Sequence, residues 1–173
     1  LESPNYHKLL FLTDMAVLPL PDFRQKIKQT NFVVKVAKSF GIAKPKVAFL
    51  AASEQVLDSM PACMEAAALA KMVDRGQIRG CIADGPLALD VAIDNESVEI
   101  KKLVSPVAGD ADCLVFPNIE SANVFWKTNS KLSPGVRQAG MLVGTTAPCI
   151  LASRADSVDT KLNSIAEAVM SIL

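Results

Sequence analysis

Apolar positions along this chain follow two rhythms that take turns. Compact apolar runs at 8–13, 46–51, 78–83, 111–116, 139–143 and 149–152 have the length of buried strands. Between them, apolar residues recur at helical spacing. Ile27, Phe32, Val33, Val36, Ala37 and Phe40 mark one such helix, which Asp22 can cap and Gly41 can end. Residues 61–75 are a second, rich in Ala, Met and Leu, opened by Pro61 and stopped by Gly76. Gly85-Pro86 is expected to open a helix through Ala92, and Asn118 to cap one through Lys127. Ser157 begins a closing helix to Ile172, and the polar piece 94–102 reads as a surface loop or edge hairpin.

Strands alternating with helices call for βαβ crossovers. The predicted fold class is therefore α/β, three layers (α/β/α) around a mostly parallel sheet, with helices on both faces. The 173 residues are half apolar and 21% charged, which excludes a disordered chain and allows a real core. Lys and Arg total 18, as do Asp and Glu. Zero net charge argues against a nucleic-acid or membrane-surface binder. Mean hydropathy is +0.29, yet the richest apolar stretch, 140–152, is short and carries Thr145, Thr146 and Pro148. No bilayer span is expected. Glu2, Asn5 and His7 precede the first apolar run, so no secretory signal is expected at the start.

Cys63, Cys81, Cys113 and Cys149 form no CxxC pair and no grouping with the single histidine, His7. Buried thiols in a reducing compartment are the expected state. Cysteine–histidine and serine–histidine catalysis lack a base, and no metal site is expected.

In open parallel sheets, ligands sit beyond the carboxyl ends of the strands, where helix N-termini also point. Those ends carry Thr13-Asp14, Ser53-Glu54, Asp84-Gly85-Pro86, Asn118 with Glu120, and Ser153-Arg154. Each is also good cap or turn chemistry, so only their collection at one sheet edge suggests a site. Arg154 is the most informative. It follows an apolar strand and precedes a helix start, where its guanidinium and the helix N–H groups could hold an anion. The alternative is surface pairing with Asp156 or Asp159. No GxGxxG or P-loop is present.

Several motifs carry a resemblance over nearly the whole chain: Asp84-Gly-Pro-Leu-Ala-Leu-Asp90, Ser105-Pro-Val-Ala-Gly109 with Asp112, Phe116-Pro-Asn-Ile-Glu120 with Asn123, and Ala147-Pro148 followed by Ser153-Arg-Ala-Asp-Ser157. Upstream stand Thr13-Asp14, Lys44-Pro-Lys-Val-Ala48 and Glu65-Ala-Ala-Ala-Leu-Ala-Lys-Met72. Each is weak alone. Together they resemble the phosphate acetyl/butyryltransferases, with Ser-Arg-Ala-Asp-Ser and Gly-Pro-Leu-Ala-Leu-Asp closer to the butyryl branch.

The resemblance implies reversible transfer of a short acyl group between coenzyme A and inorganic phosphate, both as substrates, with no resident cofactor or metal. It implies a fold resembling isocitrate and isopropylmalate dehydrogenases, in a cytoplasmic homodimer. It places this chain, residues 1–173, in the C-terminal part of a longer protein whose N-terminal lobe would complete the cleft. Ser153 and Arg154 are implied to contact phosphate or acyl phosphate. The position of a thiol base falls on Thr160 here, which leaves Asp156 and Asp159 as the carboxylates at hand. Asp84, Gly85, Pro86, Asn118, Glu120 and Asn123 are the implied substrate-binding positions. Relatives commonly carry Gly at Ala122 and Asp at Asn118. A second reading is a non-catalytic ligand-binding module of the kind appended to malic enzymes.

Overall fold

The computed structural model describes residues 1–172. Four strands, β1 (Phe11–Thr13), β2 (Lys46–Leu50), β3 (Ile82–Leu87) and β4 (Cys113–Val115), form a wholly parallel sheet in the order β1-β4-β2-β3. The strands are apolar on both faces because both faces are covered. Phe11, Val47, Phe49, Ala83, Cys113 and Val115 face one buried cluster, with Val33, Val34 and Ala37 of α1 (Phe23–Ser39) and Ala66, Leu69 and Ala70 of α2 (Pro61–Asp74). The alternate residues Leu10, Ala48, Leu50, Leu114 and Phe116 face a second cluster with Val91 and Ala92 of α3 (Leu89–Ile93) and Ala122 of α5 (Ile119–Leu132). This two-residue alternation makes the three layers.

The local signals act where the periodicity places them. Asp22 accepts the Gln25 N–H at 2.7 Å, and Gln25 returns a bond to the Asp22 N–H, a reciprocal cap for α1. Lys26, in the first turns of α1, is buried and paired with Glu65 of α2. That pair ties the two helices of one layer together.

Three expectations need correction. Gly85-Pro86 opens no helix. It lies inside β3, and α3 starts at Leu89. β3 is an edge strand, and its pairing with β2 shifts register between Ala48↔Asp84 and Leu50↔Leu87, an irregularity of the kind in which a strand tolerates proline. Residues 94–102 are not a loop or hairpin but contain α4 (Asn95–Lys101). Asp94 caps it by accepting the Ser97 N–H at 2.8 Å, and Val98 packs into the second cluster. The runs at 139–143 and 149–152 do not join the parallel sheet. β5 (Met141–Leu142) and β6 (Cys149–Ile150) pair antiparallel with each other. Cys149 is exposed there, unlike Cys63, Cys81 and Cys113. The closing helix α6 (Val158–Met170) follows β6 and is fastened to the β5 segment by a 3.0 Å bond from the Gly140 N–H to Ser164 Oγ. No helix among the described residues is long and apolar enough to cross a membrane.

Candidate functional site

The turn between β6 and α6 is closed by its own side chains. Asp156 Oδ2 accepts the Ser153 N–H at 2.7 Å, and the Asp156 N–H donates to the Ser153 carbonyl at 3.1 Å. Ser153 Oγ accepts the Ala155 N–H at 3.3 Å, and Ser157 caps α6 by accepting the Thr160 N–H at 3.1 Å. Arg154 stands at the tip of this turn, exposed. Among the described residues it makes no ion pair and no side-chain hydrogen bond, so it is not the surface partner of Asp156 or Asp159. Its charge is unspent beside the α6 N-terminus, which carries partial positive charge of its own.

A cavity of about 930 Å³ lies beneath the turn. Its walls come from β1 and the loop after it, from one face each of α1, α5 and α6, and from residues 137–143. Ser153, Asp156 and Thr160 contribute from the α6 side, Thr13 and Asp14 from the carboxyl end of β1, and Asn123 from α5. Asp14 accepts the N–H groups of Ala16, Val17 and Leu18 at 2.9–3.0 Å, and Asn123 Nδ2 donates to the Met15 carbonyl at 3.0 Å. These two polar residues therefore shape the rim, the one by folding the loop and the other by anchoring it to α5.

Not every expected residue gathers here. Arg154 and Asp159 flank the cavity without lining it. Asn118 caps α5 through the Ser121 N–H at 2.9 Å, and Glu120 lies exposed on the first turn of the same helix. Asp84, Gly85 and Pro86 sit in β3, at the opposite edge of the sheet from β1. Asp84 Oδ1 accepts the Gly85 N–H at 2.8 Å. A Cβ on Gly85 would lie 2.7 Å from the Phe49 Cβ and 3.2 Å from the Ala66 Cβ, so the glycine lets α2 pack against the sheet.

Lys28, Gln29, Lys127, Asn163 and Glu167 also line the cavity, and none of them belongs to a motif in the sequence. Gln29 shared a helical face with Gln25, Phe32 and Val36, and a polar residue within that stripe was a readable signal. It is buried, and neither atom of its amide has a partner. Burial pushes the Glu167 carboxyl up, against a smaller opposing pull from the Leu1 ammonium. The described residues contain no cluster of three or more His, Cys, Asp or Glu placed to hold a metal ion.

Comparison with known proteins adds the family. A family model described as phosphate acetyl/butaryl transferase matches residues 2–169. The phosphate butyryltransferase of Clostridium acetobutylicum is 48% identical over 169 residues, covering 98% of this chain and 56% of that protein. The phosphate acetyltransferase of Thermotoga maritima is 43% identical over 166 residues, covering 96% and 56% respectively. Among solved structures, a branched-chain phosphotransacylase from Enterococcus faecalis superposes with a TM-score of 0.85 at 33% identity, covering 93% of this chain and 57% of that one. The chain thus spans somewhat over half the length of the curated relatives it matches.

Proposed function

The chain belongs to the phosphate acetyl/butaryl transferase family, and we propose that the polypeptide containing it exchanges a short acyl group between coenzyme A and inorganic phosphate. The observation that carries the reading is the α6 head. An unpaired arginine stands there beside a serine and a carboxylate that line a cavity of about 930 Å³.

In the proposed reaction, a phosphate oxygen attacks the thioester carbonyl, the carbon–sulfur bond breaks, and the departing thiolate takes a proton. The reverse direction needs that proton removed again. Arg154 neutralises the phosphate with help from the α6 N–H groups, and Ser153 Oγ donates to a phosphate or carbonyl oxygen. Asp156 is better placed than Asp159 for the proton, because it lines the cavity. Coenzyme A and phosphate enter as substrates, and the scheme needs no resident cofactor.

Finer parts of the reading have their own support. Cys63, Cys81 and Cys113 are buried and unpaired, which suits a reducing cytoplasm. Val158, Leu162, Ile165 and Val169 leave an exposed apolar stripe along α6, which suits a further packing partner such as a second copy or the rest of a longer chain. Thiol release from butyryl-CoA in the presence of phosphate tests the activity. The expected result, in the longer polypeptide, is phosphate-dependent release coupled to acyl phosphate formation. Phosphate-independent hydrolysis, or no release, overturns it.

A further inference from the structure

The buried polar groups that lack partners in this fold sit together. Among the described residues, four buried side-chain atoms have no hydrogen-bond partner: Thr13 Oγ1, both amide atoms of Gln29 and Glu167 Oε2. All three residues line the cavity beneath the turn between β6 and α6. Orphaned buried groups are rare in folded proteins, so their concentration in one cavity marks a place where a polar ligand is received.

Gln29 is the most demanding of them. It lies on the buried side of α1, is only 7% exposed, and presents a donor and an acceptor at once. An aliphatic ligand satisfies neither atom, and a phosphate or carboxylate satisfies only the N–H groups. Amides carried on an apolar chain satisfy both, one N–H donating to Gln29 Oε1 and one carbonyl accepting from Gln29 Nε2. Much of the surrounding wall is apolar, with Phe11, Leu12, Phe32, Val33, Met141 and Leu142. A few polar points in an apolar wall are how a pocket fixes the orientation of its ligand.

We propose that Gln29 is a specificity residue that reads the amides of the acyl donor's pantetheine arm. This rests on the reading of the chain as part of an acyl-CoA:phosphate transferase, and extends it from the reacting end of the thioester to its handle. The arm is an aliphatic chain with a pair of amides separated by a short spacer. The N–H of one and the carbonyl of the other can turn to the same side and meet both atoms of Gln29. Thr13, whose hydroxyl can donate or accept, offers a further point at the carboxyl end of β1. Ser153 and Asp156 line the same cavity, so a thioester at the α6 head and an arm at Gln29 are parts of one ligand. Lys28 and Lys127 line it too, and among the described residues neither is in an ion pair, which suits the anionic phosphates beyond the arm. Gln29 carries no charge and moves no proton, so it acts on binding rather than on the chemical step.

Calorimetric binding to the polypeptide containing this chain tests the proposal, with coenzyme A and with analogues in which one or the other pantetheine amide is an ester. Gln29→Leu is expected to bind coenzyme A about tenfold more weakly than wild type. Wild type should lose a similar factor with one of the ester analogues, whereas Gln29→Leu should bind that analogue and coenzyme A alike. In thiol release from butyryl-CoA, the variant's KM should rise by about the same factor while kcat stays within about twofold, because the contact is equal in ground and transition states. The ligand-free variant should melt no lower than wild type, since leucine removes an unsatisfied buried amide. Unchanged affinity for coenzyme A overturns the proposal, as does failure of wild type to bind it. So does a variant that melts lower and loses affinity equally for coenzyme A and both analogues, which makes Gln29 a packing residue. Phosphate-dependent release with binding indifferent to Gln29 removes this proposal and leaves the transferase reading standing. Binding that depends on Gln29 without any release does the opposite.

Discussion

The amino end of the parallel sheet and the head of α6 treat charge in opposite ways. At the amino end, Asp110 meets His7, Lys8 and Lys46, each at 2.8 Å. Beside it, buried Asp112 accepts the Lys46 N–H at 2.7 Å and pairs with Lys8 at 2.9 Å, while the Tyr6 hydroxyl donates to the Ala111 carbonyl at 2.7 Å. Partial burial pushes the Asp110 carboxyl up, but hydrogen bonds from Lys46, Lys8 and His7 outweigh it and hold the group well below the usual carboxylate range. At the carboxyl end and the α6 head, Asp14 and Asp156 bind only backbone N–H groups, and Arg154 pairs with nothing among the described residues. Charges that hold the strands in register are satisfied within the protein. Ion pairs form at the carboxyl end too, Lys26 with Glu65 and Lys101 with Glu54 and Asp90, but the Arg154 charge at the α6 head is left for something that arrives.

This contrast can be broken by experiment. The largest effect is expected from Arg154→Ala, measured in whatever polypeptide carries the proposed transfer activity. Losing one preorganised contact to a charged reacting group costs roughly 3–4 kcal/mol of activation, on the order of a hundred- to a thousandfold in rate. Thermal stability should stay within about 0.5 kcal/mol of wild type, since no internal partner is lost. Steady-state thiol release and a melting curve measure the two, and turnover near wild type would remove Arg154 from the reaction. Arg154→Lys should recover only part of the rate, because an ammonium lacks the bidentate fork.

Asp112→Ala should show the reverse pattern at the other end. It strands the Lys46 N–H and one contact of Lys8 in a buried place, so about 2–3 kcal/mol of stability should go, read by urea unfolding. A loss below about 0.5 kcal/mol would mean that the amino-end network is ornamental.

Asp110 sharpens the comparison through pH. Its folded pKa is depressed, so its stabilisation is present above its unfolded value of about 4 and fades as pH falls from there toward the folded value. The carboxylate is partly exposed, and its pairs are screened accordingly, so Asp110→Asn should cost only about 1 kcal/mol at neutral pH. Unfolding between pH 7 and pH 2.5 should show the variant converging on wild type at the acid end. Parallel curves would place the pairing elsewhere.

The smallest effect is saturable stabilisation by phosphate. An anion at the α6 head adds stability as RT ln(1 + [L]/Kd), about 1 kcal/mol at a few times Kd. Melting in phosphate against chloride at matched ionic strength measures it, and Arg154→Ala should abolish the difference. Identical melting in the two salts would count against an anion site in this chain.

Much of this architecture was legible from one-dimensional pattern. The alternation of short apolar runs with helical stripes implied a parallel sheet between two helical layers, because only a strand buried on both faces is apolar at every position. Asp22, Asn118 and Ser157 act as the caps that their residue types and positions announced. Ser153 is readable from its place between an apolar run and a helix start, Asp156 only as a carboxylate near Arg154, and both line the cavity. Asp84-Gly85-Pro86 shows the limit. Turn chemistry looks the same in a loop and in an edge strand, and only the neighbours of Gly85, Phe49 and Ala66, tell which of the two it is.

What the sequence by itself determined is what depends on near neighbours along the chain: helix faces, caps, the buried character of the strands and the absence of net charge. Tertiary structure alone decided which strand became an edge, that 139–152 would pair with itself, that Lys8 and Lys46 would converge on two aspartates more than sixty residues away, and that Gln29 would be buried in the wall of the cavity. The physical reason is range. Capping and periodicity act within a turn or two, whereas edge placement, charge pairing and cavities depend on which distant segments the folded chain brings together, and local pattern carries no record of that.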